Sequence, residues 1–373
     1  MPRKCSKSQD SCLSRSFTTQ VLPVPWPKQD FTGKTVLVTG ANAGIGREAA
    51  RHFVRLNARR VILGCRDLAK AEAAKKDIEA SSAATVKGSD GGKGGDGNDA
   101  TRCQIEVWQV DLGSFASVKS FCRRAEDELD RLDVVVENAG LLSQTYHQFE
   151  GYERQCTVNI ISTWLMALLL LPVLRRTSEA FYGDETKQTG TAPRRRPHLC
   201  IVGSNSQFYT KFEQRNEPSI FEAFRGKGDM HMRYANTKLV SLMIMRELVK
   251  RTDGKTTAVP RVIINMPEPG FTKTELMRES TWPWYVKATL AVSNVVLARS
   301  SEMASRNYVW AASAAAGPGS HGLYVEDCKL STPAPLADTE EGRRLQVKVF
   351  DELAEILERI QPGILARNGL ATE

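Results

Sequence analysis

From residue 35 the chain reads T-V-L-V-T-G-A-N-A-G-I-G-R-E-A-A, a stretch that leaves few folds open. The β-branched and aliphatic run 35–38 predicts a strand, the glycines predict a tight turn, and the alanine-rich continuation predicts a helix. Such a turn lets the main chain approach a pyrophosphate, whose charge meets free N–H groups at the helix N-terminus. Gly40, Asn42, Gly44, Ile45 and Gly46 are therefore expected to hold a dinucleotide. An isolated glycine-rich turn can simply end a strand; here the flanking segments supply the context that a phosphate site needs.

The rest of the chain keeps the rhythm. Apolar β-branched runs near 34–39, 60–65, 104–110, 132–138, 198–204, 260–266 and 321–325 read as strands. Between them 44–57, 67–80, 114–130, 150–176, 234–252 and 300–315 read as helices. Strict alternation of this kind predicts an α/β fold, a Rossmann-type doubly wound parallel sheet of about seven strands with helices on both faces. Phe115, Val118, Phe121, Cys122, Ala125 and Leu129 fall at helical spacing and belong to the core. We divide the 373 residues into an N-terminal extension (1–30), a single domain (31–362) and a C-terminal tail (363–373). Insertions are expected at 81–101, which has little to bury, and at 177–197.

Composition excludes several function classes. With 41% hydrophobic and 25% charged residues the chain has the make-up of a globular protein. The net charge of +8 raises the question of nucleic acid, but much of it lies in the N-terminal arm (Arg3, Lys4, Lys7, Arg15) and in Arg194-Arg195-Arg196. No aromatic and basic residues interleave as a nucleic-acid groove requires. The cysteines at 5, 12, 65, 103, 122, 156, 200 and 328 form no C-x-x-C pair and read as reduced thiols of a cytoplasmic protein. The dispersed histidines imply no metal site. The arm 1–20 has no apolar core of signal-peptide length. The apolar run 160–174 is about a quarter short of the ~20 residues of a membrane span, and a buried helix explains it better.

The second strand should choose the dinucleotide. An acidic residue at its end would hold a ribose 2′-hydroxyl; here Val61-Ile62-Leu63-Gly64-Cys65 is followed by Arg66, which suits a 2′-phosphate. A plain surface arginine is the alternative, and Asp67 stands next door. NADP(H) is the expected cofactor. For chemistry, Tyr234 and Lys238 lie four residues apart at a predicted helix start, on one face. A cation there lowers a phenol's pKa from about 10 toward the working pH, as an acid/base group needs. Ser204 ends the strand Leu199-Cys200-Ile201-Val202-Gly203 at the carboxyl edge of the sheet, where open α/β folds bind ligands. Asn159 is a polar residue inside the apolar run Val158-Asn159-Ile160-Ile161, where a satisfied buried amide is the alternative reading. Asn138-Ala139-Gly140 closes the fourth strand at that edge and Asp111 closes the third.

These motifs in this order resemble the short-chain dehydrogenase/reductase family, and in particular its fungal retinol-dehydrogenase-like branch. The resemblance runs from about Phe31 through the last helix and takes in T-G-x-x-x-G-I-G, N-A-G, Y-x-x-x-K and the P-G-x-x-x-T stretch 269–274. It implies Tyr234 as acid/base, Lys238 as ribose ligand that lowers the tyrosine pKa, Ser204 as the group orienting the substrate carbonyl, and Asn159 as holder of a relay water. It further implies Asp111 at the adenine, Asn138 in the central cofactor channel and Thr274 near the nicotinamide carboxamide. Two positions depart from the pattern: Glu137 stands where a second Asn is usual, and Glu268 where Asn or His is commoner.

The family keeps a substrate lid at about 271–299, and here it carries Trp282, Trp284 and Tyr285. They suggest a bulky apolar substrate, with ordinary lid packing as an equal reading and weak peripheral membrane attachment as a third. The resemblance implies a carbonyl–alcohol oxidoreductase acting on a secondary-metabolite (polyketide-type) ketone, or else on a retinoid- or steroid-like alcohol. The rival from another class is a silent NADP-binding regulator. Reaction direction and the choice between monomer and homodimer stay open.

Overall fold

The computed structural model describes residues 20, 22–88, 103–183, 196–253, 260–273 and 298–371. The opening strand β1 (Thr35–Thr39) is wholly buried, and the turn after it leads into helix α1 (Gly44–Arg55). The sequence then alternates β2 (Arg60–Cys65), α2 (Leu68–Gly88), β3 (Gln104–Gln109), α3 (Phe115–Glu128) and β4 (Val134–Glu137). The second half adds α4 (Thr163–Tyr182), β5 (His198–Ile201), α5 (Met230–Asp253), β6 (Ile263–Glu268), α6 (Ser301–Ala311), β7 (Tyr324–Glu326), β8 (Lys329–Ser331) and α7 (Glu340–Ile360).

The sheet order is β8-β7-β6-β5-β4-β1-β2-β3, parallel throughout except for β8 against β7. The chain runs outward one way through β2 and β3, then returns past β1 to start the other half at β4. That reversal falls between β1 and β4, whose carboxyl ends are the place where folds of this kind take ligands. Alternation along the strands assigns the two faces. Val36, Val38, Val61, Leu63, Val134 and Val136 join the core beneath α1 and α6. Leu37, Ile62, Val135, Leu199 and Ile264 join the larger core with α3, α4, α5 and α7.

The doubly wound sheet is as expected, but it has eight strands rather than about seven. The eighth escaped sequence reading because β7 and β8 are joined by Asp327 and Cys328, both at positive φ (53° and 55°). A two-residue hairpin turn of this kind normally announces itself with Asn-Gly or Asp-Gly.

Other boundaries move for local reasons. Helix α2 runs on to Gly88, because Ser81-Ser82-Ala83-Ala84 holds no breaker, and Ser81 and Ser82 donate back to Ile78 O at 2.8 and 2.9 Å. The expected insertion 81–101 therefore begins later, and its remainder lies outside the described residues. Helix α4 likewise extends through Tyr182, whose hydroxyl bonds Asp133 Oδ1 at 2.5 Å; of the expected insertion 177–197, residues 184–195 lie outside the description.

The described parts of the terminal segments dock onto the domain. Gln20 brackets the main chain of Phe271, donating to its O at 2.6 Å and accepting from its N at 3.0 Å. Trp26 lies under the Arg306 guanidinium, 4.5 Å from its ring centroid. Beyond residue 362 the chain makes another helical turn (Ile364–Arg367), and Asn368 donates to Leu168 O at 3.0 Å.

The stretch Arg154–Tyr182 is long and apolar enough, by length and composition, to cross a membrane, but 89% of its apolar window is buried inside the protein. It is the central helix of one face. Trp164 Nε1 donates to Ser241 Oγ at 3.1 Å, tying α4 to α5.

Candidate active site

The glycine turn is shaped by close approach. Gly40 (φ +64°) and Gly44 (φ +56°) are left-handed, a conformation costly for other residues. A Cβ on Gly46 would lie 2.5 Å from Asn138 Nδ2 and 2.6 Å from Gly40 O, so only glycine lets α1 come this near the strand end. Asn138 braces the turn by donating to Thr39 O at 2.9 Å and Gly40 O at 3.4 Å, and Ala139 N donates to Thr39 Oγ1 at 3.0 Å. Ala43 offers no side-chain cap to α1, and its first turn has no acidic residue. Those N–H groups, with the half-buried Asn42 and the buried Ile45 beside them, suit an anionic ligand. The residues present fit a dinucleotide pyrophosphate.

At the end of β2, burial pushes the Cys65 thiol up to about 11, and the N–H groups of Ala41 and Asn42 hydrogen-bond to it. A neutral sulfur thus lies against the glycine turn where a carboxylate would receive a ribose. Arg66 follows, exposed to solvent. Asp67, the neighbour that clouded the sequence reading, caps α2 instead by accepting from Lys70 N at 3.1 Å. Asp111 closes β3 with its carboxylate accepting from Gly113 N at 2.8 Å.

On the other half, Ser204 follows β5 and shares a hydrogen bond with the Tyr234 phenol. Tyr234 is not at the start of its helix: α5 begins at Met230, because Asp229 accepts from His231 N at 2.8 Å and extends the helix backward. Lys238 follows one turn after Tyr234, buried, with Nζ donating to Val202 O at 2.8 Å and lying 5.6 Å from the phenol ring centroid. The expected lowering of the phenol is not seen. Burial pushes Tyr234 up to about 12, with the Ser204 hydrogen bond opposing and the Glu268 charge adding. Burial lowers the Lys238 ammonium to about 8, so it stays largely charged at neutral pH with one of its N–H groups given to Val202 O, and at the phenol desolvation outweighs it.

Asn159 lies on a π-helical segment (Thr157–Ser162) leading into α4. Its amide is fully engaged, accepting from Leu141 N at 2.8 Å and donating to Leu141 O at 2.8 Å and Thr237 Oγ1 at 3.1 Å. The satisfied-amide reading thus holds for its side chain. The wide turn, of a type frequent at functional sites, sets Asn159 near Lys238; a Cβ on Gly140 would be 3.4 Å from Asn159 Oδ1 and 4.0 Å from Lys238 Nζ. Ser204, Tyr234, Lys238 and Asn159 are therefore gathered at one edge, with Gly40, Gly46 and Asn138 at the neighbouring ends of β1 and β4. Thr274 lies outside the described residues, as does most of the stretch 271–299 expected to form a lid. The described ends of that stretch meet, Thr272 bridging to Arg299 and Arg299 N donating to Phe271 O at 2.9 Å.

Sequence reasoning missed three supports. Thr39 ties the end of β1 to the turn after β4 and Thr237 ties α5 to the π-helical segment through Asn159, and single threonines carry no signal. The third is a carboxyl cluster. Glu268 ends β6, with Oε1 accepting from Asn205 N at 3.4 Å, while Asn205 Nδ2 donates to Glu326 Oε1 at 3.1 Å. Its signal was the departure from pattern at position 268. The other departure, Glu137, is a buried side chain on the α3 face whose carboxyl desolvation pushes well above the usual range.

The short chain dehydrogenase family profile matches residues 34–90 and 97–180. Among curated proteins, short chain dehydrogenase/reductase dmxR8 of Cryptosporiopsis sp. is 34% identical over 91% of this chain and 95% of its own length. Short chain dehydrogenase atnD of Emericella nidulans is 38% identical over 85% and 91%. A short chain dehydrogenase of Pseudomonas syringae superposes with a TM-score of 0.55 at 19% identity, over 82% of this chain and 98% of that one. Another, from Escherichia coli CFT073 and solved with NADPH, gives 0.51 at 21% identity, over 81% and 99%.

Proposed function

The chain belongs to the short-chain dehydrogenase family of oxidoreductases, and we propose that within it the protein is an NADP(H)-dependent ketoreductase for a bulky, polyketide-type ketone. The observation that carries this reading is the Ser204–Tyr234 hydrogen bond at the same sheet edge as the uncapped α1 N-terminus. A bound nicotinamide supplies the hydride; everything else falls to side chains. Ser204 and Tyr234 would hold the substrate oxygen. A phenol whose pKa lies near 12 is protonated at neutral pH, so Tyr234 enters as an acid and gives its proton to that oxygen as it becomes an alkoxide. Lys238, one turn away, would bind the nicotinamide ribose and carry charge near the forming phenolate. Water held near Asn159 would return the proton.

Preference for NADP(H) is supported by Arg66 and by the neutral Cys65 in place of a carboxylate, and Asp111 is assigned to the adenine side. A large substrate is supported by the aromatic residues 282, 284 and 285 of the lid. The test is to follow oxidation of NADPH and NADH in parallel with aryl and polycyclic ketones. Turnover with NADPH well above NADH is expected; tight NADPH binding with no turnover of any ketone would favour a silent binder.

A further inference from the structure

Three adjacent strands end in polar groups at the substrate side of the sheet: Ser204 and Asn205 after β5, Glu268 at the end of β6 and Glu326 at the end of β7. Register places Met266 beside Tyr324 and Glu268 beside Glu326. Glu268 follows Met266 on the face that carries α5. The packing there is close, since a Cβ on Gly203 would lie 2.7 Å from Met266 Cγ and 3.1 Å from the Tyr324 ring.

The two carboxyls are treated differently. Glu326 accepts from Asn205 Nδ2 at 3.1 Å and Ser331 Oγ at 2.9 Å. Glu268 is 2% exposed. Its Oε1 accepts from Asn205 N and the Gly270 N–H also faces the carboxyl, whereas its Oε2 is buried with no hydrogen-bond partner among the described residues. A buried polar atom without a partner is uncommon and calls for an explanation. Glu268 lies within electrostatic reach of the Tyr234 phenol and of Tyr209, a side chain 51% exposed. It therefore lies near both the acid/base group and an exposed side chain.

We propose that Glu268 is a specificity-determining residue whose free Oε2 bears a proton and donates it in a hydrogen bond to a second oxygen of the substrate, so that the enzyme selects ketones carrying another carbonyl-type acceptor near the reacting one. Ser204 and Tyr234 hold the first oxygen and Glu268 the second. The proton belongs on Oε2 because Oε1 already accepts a backbone N–H. Desolvation, with the Glu326 charge adding and backbone N–H groups and Arg299 opposing, raises the carboxyl to about 8, so the donor form prevails at neutral pH. The groups facing it are Glu326, Arg299 and the phenols of Tyr209, Tyr234, Tyr308 and Tyr324. None of these is placed as its acceptor.

The inference rests on the ketoreductase reading, and its test separates the two. The probes are matched pairs: benzil against deoxybenzoin, 1,3-diphenylpropane-1,3-dione against 1,3-diphenylpropan-1-one, and 1,4-diphenylbutane-1,4-dione against 1,4-diphenylbutan-1-one. For at least one pair, Glu268→Leu should lower kcat/KM of the diketone by about tenfold or more, chiefly through KM, and that of the monoketone by less than about threefold. The parent's advantage for that diketone should decline as pH rises through about 8, because an ionised Glu268 cannot donate and repels the acceptor. Glu268→Gln keeps a donor at every pH, and its advantage should stay flat. The pH comparison decides the matter even if the leucine variant fails to fold.

Equal effects of Glu268→Leu on both members of every pair, or the same pH course in parent and Gln variant, would overturn the inference while leaving the reductase intact. Should the parent bind NADPH and reduce none of the probes, the ketoreductase reading falls. Calorimetry on the NADP⁺ complex then decides the role of Glu268: tighter binding of a diketone that Glu268→Leu erases upholds it, and equal binding of both members overturns it.

Discussion

At the scale of single residues, the proposed function turns on the proton of Tyr234 and on the absence of a carboxylate at the end of β2. Tyr234 is half-buried and desolvation holds its phenol up to about 12, so in the proposed reaction a forming alkoxide is what would make proton loss favourable. Tyr234→Phe should keep NADPH affinity within about twofold, while turnover falls by ~10²–10⁴, the usual worth of acid/base catalysis. Lys238→Met should weaken cofactor binding and turnover together, since the ammonium is assigned to both. Fluorescence titration with NADPH and steady-state kinetics separate the two, and near-parental activity in Tyr234→Phe would discard the assignment. For cofactor choice, Cys65→Asp with Arg66→Ala would set a carboxylate against the Ala41 and Asn42 N–H groups and remove the guanidinium. Preference should move toward NAD(H) by ~2–4 kcal/mol, from a lost charge-assisted contact and a new repulsion. The ratio of kcat/KM with NADPH and NADH measures it, and an unchanged ratio would leave Arg66 as a surface residue.

At the scale of elements, the site depends on how closely helices approach strand ends. Gly46 is the point of closest approach of α1, and its added Cβ would meet Gly40 O, a backbone atom with no freedom to withdraw. Gly46→Ala should destabilise the protein by about 1–3 kcal/mol, the usual cost of overpacking, and weaken NADPH binding because the turn must open. A Cβ on Gly319 meets nothing within 4 Å, so Gly319→Ala is the control, expected near neutral. Thermal melting with and without NADPH reads both. Similar melting curves for the two variants would show that the turn yields more easily than its geometry implies. The π-helical turn is the second such device: the widened turn at 157–162 sets Asn159 opposite Thr237 and Gly140 while its amide stays fully bonded.

At the scale of the whole molecule, the sheet buries groups that report on folding. His198, at the start of β5, is buried and burial lowers its pKa to about 3, with Lys34 adding to the effect. In the unfolded chain it returns to about 6.5. Between those values the unfolded state takes up a proton that the folded state refuses, so stability falls as pH falls through the window. His198→Leu should cost stability at neutral pH because a differently shaped side chain replaces a fully buried ring. The gap between parent and variant should then narrow steadily from about pH 6.5 downward. Urea melts at several pH values would show it, and a constant gap would place the acid sensitivity elsewhere.

Much of this was legible in the chain because it depends on short-range pattern. Alternating β-branched and amphipathic runs prescribe a parallel sheet, three glycines behind a strand prescribe the phosphate turn, and a four-residue spacing puts Tyr234 and Lys238 on one helical face. What the sequence could not show depends on which groups tertiary packing brings together or dries out. The Asp327-Cys328 turn adds an eighth strand without a turn signature, and the terminal segments dock because Gln20 and Asn368 find main-chain partners more than 190 residues away. Lys238 donates to Val202 O, and desolvation of the phenol outweighs the nearby ammonium. Glu268, in the sequence no more than an unusual residue before Pro-Gly, becomes a buried carboxyl with a free oxygen because three strand ends converge there. Local periodicity is written in neighbouring residues, whereas burial and partner choice exist only once distant segments have displaced water from one another.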